Sequence, residues 1–190
     1  MRIIAGTHRG RILASPTWEG LRPTSDRLRE TLFNLLAMRI DGASVLDVCA
    51  GSGAIALEAL SRGATTATCL EADLRAVRLI AANAARCGLE KNCIILQGTA
   101  PQALTHEHIG GPFDIVVLDP PYAAPWIGEA VAAAGRLLAP DGLVVLEHSS
   151  RRAAPEPGGL HLDRTRRSGE SALSTYRAMR AADGGGSEEP

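Results

Sequence analysis

The residues most suited to chemistry stand together at Asp119-Pro120-Pro121-Tyr122, directly after an apolar run at 113–118. Consecutive prolines fix φ and remove N–H donors, so the Asp119 carboxylate and the Pro120 carbonyl become rigid acceptors. Such acceptors suit an aromatic amine, because bonds to its hydrogens return electron density to nitrogen and orient it for attack on a methyl group. Tyr122 is placed to stack on a base that has left its helix. We therefore predict that these four residues are catalytic.

A second cluster lies earlier in the chain, where an apolar run at 45–49 leads into a turn containing Gly51 and Gly53. Glycines let the backbone turn tightly and approach a ligand, and the helix that follows presents free N–H groups. This pattern fits S-adenosylmethionine and also a dinucleotide. Asp47 favours the first, because a carboxylate suits an ammonium or a sulfonium and would repel a pyrophosphate.

The ends of two further apolar runs complete the predicted cofactor site. Glu71 ends one of them, where an acid is placed to accept bonds from ribose hydroxyls, as it would also do for NAD. Thr99 and Ala100 follow the next run, and the same geometry places this turn near an adenine. The residues predicted to hold the cofactor are Asp47, Gly51, Gly53, Glu71, Thr99 and Ala100.

The elements that must position these residues follow from hydrophobic periodicity. Continuously apolar runs predict parallel strands covered on both faces, at 45–49, 66–70, 93–96, 113–118 and 143–146. Helical patterns lie between them, at 54–62, 73–87 and 126–138, and residues 140–142 read as a turn. An antiparallel hairpin is predicted at 160–166 and 172–179. Right-handed crossovers then give an α/β domain with a mostly parallel, doubly wound sheet and an antiparallel edge strand.

The N-terminal region has its own pattern. A β-hairpin is predicted from residues 1–15, with a glycine-rich turn between two short apolar arms. Thr24 or Ser25 caps a helix that runs to about residue 40. The predicted division is an N-terminal hairpin and loop at 1–23, the main domain at 24–182 and a disordered, glycine-rich tail at 183–190.

Composition narrows the classes further. A length of 190 residues suits one domain, and a formal net charge of -1 favours no partner class. The four cysteines form no C-x-x-C pair, and Cys49, Cys69 and Cys93 fall in apolar runs. We expect reduced thiols in the core of a cytoplasmic protein rather than a zinc site. The sequence shows neither a signal peptide nor an apolar run of membrane-spanning length.

The Asp119–Tyr122 motif, downstream of Asp47 and the glycine turn, resembles the amino-methyltransferases of DNA and RNA. Two N-terminal segments narrow the resemblance, IAGTHRGR at 4–11 and GLRPTSDRLRETLFN at 20–34. They are closely similar to the small bacterial 16S rRNA guanine-N2 methyltransferases that modify guanine 966. LEALSRGA at 57–64 matches the same family.

This resemblance implies a Rossmann-like methyltransferase fold, S-adenosylmethionine as cofactor and no metal. It implies transfer to the N2 amine of a guanine in 16S rRNA, with an assembled or assembling small-subunit particle as substrate. We expect the enzyme to be a monomer. Thr99 departs from the family pattern, because an acidic residue is common there to bond the adenine amine.

Basic residues near the N-terminus suggest an RNA-contacting surface. Arginine's planar fork suits phosphates, and phosphate contacts position an RNA without reading its sequence. The resemblance likewise implies that the N-terminal hairpin helps to grip RNA. The predicted RNA-binding residues are Arg2, Arg9, Arg11, Arg22 and Arg27, and Arg29 belongs to the same basic stretch.

Three other functions remain open at this point. An adenine-N6 methyltransferase acting on DNA or RNA would use the same Asp119–Tyr122 motif, although the chain is small for a DNA enzyme with its own target-recognition domain. An RNA-binding assembly factor could have the fold without catalysis. An NAD-dependent oxidoreductase would use the glycine turn but would give the Asp119–Tyr122 motif no role.

Overall fold

The computed structural model describes residues 1–18 and 25–179. In these residues a seven-stranded sheet is flanked by α-helices and two short 3₁₀ helices at Gln102–Thr105 and Glu107–Ile109. The strands are β1 Ser44–Val48, β2 Thr66–Glu71, β3 Cys93–Gln97, β4 Phe113–Leu118, β5 Leu138–Ser149, β6 Leu160–Ser168 and β7 Ser171–Ala178. The helices are α1 Asp26–Leu36, α2 Ala54–Ser61, α3 Leu74–Cys87 and α4 Ile127–Gly135.

The strand order is β3-β2-β1-β4-β5-β7-β6. Strands β1 to β5 run parallel, whereas β7 is antiparallel to both of its neighbours. This confirms the predicted doubly wound sheet with an antiparallel edge. The order reverses between β1 and β4, and the carboxyl ends of strands at such a point border a crevice. None of the helices in the described ranges is both long and apolar enough to cross a membrane.

Strand β4 shows why the predicted strands are continuously apolar. Ile115 and Val117 belong to the hydrophobic cluster on one face of the sheet, and Val116 and Leu118 belong to the cluster on the other. All four side chains are buried. Because both faces of β4 are covered from Ile115 to Leu118, alternate side chains enter two apolar clusters and the whole run is apolar.

Strand β5 begins earlier than the sequence predicts. Its turn-like residues 140–142 lie inside the strand, which runs through them from Leu138. Asp141 has φ of 63°, and the register with β4 shifts between Phe113 and Ile115. The Pro-Asp-Gly sequence therefore produces an irregularity inside the strand rather than a turn. Glycine and a positive φ are compatible with both structures.

Helix α1 begins where the sequence predicts and ends sooner. Ser25 is its N-cap, and its hydroxyl accepts a hydrogen bond from the Leu28 N–H at 3.2 Å. The helix ends at Leu36 rather than near residue 40, because residues 37–39 form a turn in which the Arg39 N–H donates to the Leu36 carbonyl.

The N-terminal hairpin packs against the α/β body through Glu58 of α2. Its antiparallel pairing is reduced to an isolated bridge between Arg2 and Ile12. The Ile4 and Ala5 N–H groups donate instead to the Glu58 carboxylate, at 2.6 and 2.9 Å. Glu58 is fully buried. The Glu58 carboxylate thus supplies the acceptors that a partner strand would have supplied in a longer hairpin.

Arg29 strengthens the same contact. Its guanidinium is fully buried, donates to the Arg2 carbonyl at 2.9 Å and to the Asp26 carboxylate at 2.6 Å, and lies 3.7 Å from Glu58. Arg29 belongs to the basic N-terminal stretch but is not available to RNA, because a guanidinium buried against two carboxylates cannot reach a phosphate.

Replacing Glu58 by alanine is expected to lower the free energy of unfolding by about 3–5 kcal/mol, because Arg29 loses its buried carboxylate. Two backbone N–H groups of the hairpin also lose their acceptor. Urea denaturation followed by circular dichroism measures the effect. Glu58→Gln is the control, since it keeps an acceptor oxygen and should cost less. A loss below about 1 kcal/mol in the alanine variant would show that the hairpin is held by other contacts.

Candidate active site

The predicted cofactor and catalytic motifs meet in one cavity of about 780 Å³ at the carboxyl ends of β1, β2 and β4. That volume is within the range of small-molecule sites. Asp47, Gly51, Glu71, Thr99 and Ala100 line it, together with all four residues from Asp119 to Tyr122. The structure thus places side by side two groups of residues that are far apart in the sequence.

The glycine turn connects β1 to α2. Gly51 lines the cavity with φ of 57°, and Gly53 is the N-cap of α2 with φ of 76°. A Cβ on Gly53 would lie 2.9 Å from a methyl carbon of Ile80. Gly53 is therefore needed for close packing of α2 on α3, and among the described residues it is not part of the cavity lining. Cys49, predicted as a core strand residue, instead follows β1 with φ of 63° and lines the cavity.

Asp47 is the most deeply buried acid of the cavity. One carboxylate oxygen accepts from the Ala56 N–H at 3.1 Å, and the other is buried with no hydrogen-bond partner among the described residues. Burial raises its pKa to about 7, opposed by the Ala56 bond and reinforced by the charge of Glu71. A buried oxygen without a donor stabilises a ligand that brings a donor or a positive charge.

Glu71 supports the glycine turn. One carboxylate oxygen accepts from the Gly51 N–H at 2.8 Å, and the other accepts from the N–H groups of Ala72 and Asp73 at 2.8 and 2.9 Å. The sequence suggests a ribose contact and does not reveal this structural role. Because a carboxylate has about four acceptor sites, the backbone bonds leave capacity for a ligand hydroxyl.

Thr99 and Ala100 lie at the cavity rim after β3. The Thr99 side chain is exposed, and its hydroxyl is 3.4 Å from a Gln102 side-chain oxygen. Ala100 is buried and belongs to the hydrophobic cluster beneath the rim. This wall of the cavity is therefore shaped by small residues.

The predicted catalytic motif, Asp119 to Tyr122, is held by contacts on several sides. The Asp119 N–H donates to the Val48 carbonyl at 3.3 Å, which ties the start of the motif to β1. The Tyr122 carbonyl accepts from the Arg152 guanidinium at 2.9 Å. The Tyr122 hydroxyl lies 2.6 Å from Glu147 and 2.6 Å from Ser171. The aromatic ring is thus fixed from both its backbone and its hydroxyl.

Acidic side chains dominate the charge of the cavity. Its described lining contains a single basic residue, Arg75, and the acids Asp47, Glu71, Asp73, Asp119 and Glu147. The thiol of Cys49 responds to this charge, since burial and the nearby Glu71, Asp47 and Asp119 raise its pKa to about 12. Such a cavity suits a cationic ligand and disfavours a pyrophosphate, which argues against the NAD alternative.

Several lining residues are not anticipated by the sequence. Trp18, Trp126, Glu147 and Ser171 all border the cavity, and the Arg75 guanidinium lies 5.1 Å from the Trp18 ring centroid. The scarcity of aromatic residues is the available signal for the two tryptophans. Glu147 could also have been found from the sequence, because it is an acid at the end of an apolar run. No feature of the sequence indicates Ser171, because its position depends on the pairing of β7 with β5.

Those predicted RNA-binding arginines that the structure describes lie outside the cavity. Arg2, Arg9, Arg11 and Arg27 are exposed, and Arg11 donates to the Arg86 carbonyl at 2.9 Å. Arg22 and the predicted tail at 183–190 lie outside the described residues. The exposed arginines on the N-terminal hairpin remain predicted RNA contacts.

Comparison with known proteins connects this cavity to a family. Residues 1–177 match the family model described as Conserved hypothetical protein 95. The "Ribosomal RNA small subunit methyltransferase D" of Escherichia coli K12 is 38% identical over 180 residues, which are 93% of this chain and 89% of that protein.

Solved structures agree with the sequence match. The Escherichia coli protein yhhF, described as a candidate methyltransferase, superposes with a TM-score of 0.83 and 35% identity, covering 94% of this chain and 97% of that one. A hypothetical protein of Thermus thermophilus, TTHA0928, gives a TM-score of 0.79 and 33% identity, covering 94% and 99%. The fold is thus the Rossmann-like methyltransferase fold, and the chain belongs to the ribosomal RNA small subunit methyltransferase D family.

Proposed function

We propose that this protein transfers a methyl group from S-adenosylmethionine to the N2 amine of a guanine, guanine 966, in 16S rRNA. The observation that carries the proposal is that the acidic, glycine-lined pocket and Asp119-Pro120 border the same cavity. The name of the Escherichia coli relative supports the choice of small-subunit rRNA. The choice of guanine N2 rests on the family resemblance of the N-terminal segments.

The cavity fits S-adenosylmethionine on its own chemistry. The unpartnered oxygen of buried Asp47 can accept from an ammonium, and Glu71 has about one acceptor site left for a ribose hydroxyl. When bound, this cofactor supplies an electrophilic methyl group on a positively charged sulfur. The acids of the lining stabilise that charge.

The residues of the chain then act on the base. The Asp119 carboxylate and the Pro120 carbonyl accept from the N2 amine and orient its lone pair toward the methyl carbon. Tyr122 provides a ring surface whose position is fixed by Glu147 and Ser171, and the base stacks on it. An amine that accepted the methyl group would gain positive charge while the sulfonium lost it. Asp119 stabilises this charge and accepts the proton that leaves.

The substrate is proposed to be an assembled or assembling small-subunit particle, bound by a cytoplasmic monomer. The exposed arginines on the N-terminal hairpin would contact phosphates there while the base enters the acidic cavity. Separating the basic surface from the acidic cavity in this way keeps the phosphates away from the carboxylates.

A methyl-transfer assay tests the proposal. Small-subunit particles that lack the modification, and free 16S rRNA in parallel, are incubated with the protein and labelled S-adenosylmethionine, and the methylated nucleotide is mapped. We expect N2-methylguanine at position 966, with faster transfer to particles than to free RNA. Methyl groups on adenine N6 would favour the alternative enzyme, and absence of S-adenosylmethionine binding in calorimetry would favour an assembly factor.

A further inference from the structure

A buried acid whose only role in the proposed mechanism is to position Tyr122 stands beside Asp119. Glu147 is 5% exposed and borders the cavity near the end of β5. Strands β4 and β5 are paired in register at Leu118 and Leu146, so Asp119 and Glu147 are the next residues on neighbouring parallel strands. Asp119 follows β4 and Glu147 lies within β5, so two carboxyl groups stand on adjacent strands where the proposed target base would present its amine.

The orientation of Glu147 is fixed by its neighbours. Its Oε1 accepts from the Tyr122 hydroxyl at 2.6 Å, and that hydroxyl is also 2.6 Å from the Ser171 Oγ. A carboxylate offers acceptor sites on both oxygens, so the bond from Tyr122 does not exhaust it. Burying a carboxylate is costly unless donors satisfy it, and the cavity is where a further donor can come from.

We propose that Glu147 selects guanine by accepting a hydrogen bond from its N1–H while Asp119 and Pro120 accept from the adjacent N2 amine. This inference rests on the proposed function. Guanine carries the N1–H and the N2 amine side by side on one edge, which matches two neighbouring acceptors. Adenine places an unprotonated N1 beside its amine, so its lone pair would face the lone pairs of Glu147. The residue therefore distinguishes two bases that the Asp119–Tyr122 motif alone accepts equally.

The expected preference for guanine follows from the cost of leaving the buried Glu147 carboxylate without a donor. A site built to hydrogen-bond a substrate N–H rejects an analogue that lacks it by roughly 10²-fold or more, because the buried acceptor then stays unsatisfied. 2-Aminopurine is the suitable probe, since it keeps the N2 amine but has an unprotonated N1. A glutamine at position 147 has an amide N–H that can donate to that nitrogen, so it should reduce the discrimination.

The test uses small-subunit particles assembled from 16S rRNA with either guanine or 2-aminopurine at the target position. For the wild-type protein, we expect kcat/KM to be at least about 10²-fold higher with guanine. For Glu147→Gln, we expect this ratio to fall by about 10-fold or more. Ser171→Ala is the matched control, because it removes the other partner of the Tyr122 hydroxyl, lowers both rates by the same factor and leaves the ratio unchanged.

The outcomes separate this inference from the proposed function. A ratio in Glu147→Gln equal to that of the wild type would overturn the inference and show that Glu147 only positions Tyr122. Wild-type protein that methylates neither particle would overturn the proposed function itself, and the inference with it. Thermal melting and S-adenosylmethionine titration of each variant confirm folding and an intact cofactor site before the rates are compared.

Discussion

Asp119→Ala is expected to lower kcat for methyl transfer by about 10³-fold while the Kd for S-adenosylmethionine changes by less than about threefold. In the proposed mechanism the Asp119 carboxylate orients the amine and stabilises its developing charge, and alanine supplies neither effect. The motif should keep its shape, because the Asp119 N–H bond to Val48 and the Arg152 bond to the Tyr122 carbonyl involve backbone atoms. The loss should therefore appear in catalysis and not in cofactor binding.

Single-turnover transfer to small-subunit particles and calorimetric titration of the cofactor provide the two measurements. Asp119→Asn is the informative control, since its amide oxygen keeps one acceptor without the charge. It should retain more activity than the alanine variant, with a loss of roughly 10- to 100-fold. Full methylation by Asp119→Ala would remove the residue from the mechanism and with it the proposed means of activating the amine.

Asp47→Asn is expected to stabilise the ligand-free protein above pH 7 and to weaken the binding of S-adenosylmethionine. In the wild-type protein, burial raises the pKa of Asp47 to about 7 from an ordinary value of 3.8. As the pH rises between these values, the unfolded chain releases its proton while the folded chain keeps it, so the folded state loses stability. Once the pH is well above 7 this loss is complete and amounts to roughly 4 kcal/mol. The asparagine side chain does not titrate in this range, so the variant does not lose this stability.

Urea denaturation at pH 5 and at pH 8 tests this effect. The stability advantage of the asparagine variant should be larger at pH 8 than at pH 5. Cofactor affinity should move in the opposite direction. The wild-type Kd should fall as the pH rises through 7 and Asp47 ionises, whereas the variant should bind about 10-fold or more weakly at pH 8 and show little pH dependence. Equal stability of the two proteins at pH 8 would mean that burial does not raise the pKa of Asp47.

The sheet is predictable because each parallel strand is apolar on both faces, a pattern that depends on local sequence alone. The turn predicted at residues 140–142 is wrong because that prediction also used local sequence alone. Pro-Asp-Gly is typical of a turn, and only the pairing with β4 keeps it within β5. Arg29 shows a further limit, because its burial depends on Glu58 of another helix.

The site is predictable where chemistry and local sequence coincide. The Asp119–Tyr122 motif and the glycine turn are each recognisable within a few residues, and the end of each strand indicates where they meet. The roles of Glu71 and Glu147 are harder to foresee. Glu71 is expected to face a ligand but also bonds three backbone N–H groups, and the bond from Tyr122 to Glu147 joins residues on different elements.

The position of Ser171 determines when the proposed base-stacking surface can form during synthesis of the chain. A nascent chain that has emerged only as far as Ser149 already contains the glycine turn and Asp119, but the far edge of β5 has no partner until β7 follows. Only then does Ser171 reach the Tyr122 hydroxyl. The proposed stacking surface for the base is therefore complete only after β7 has been made and has paired with β5.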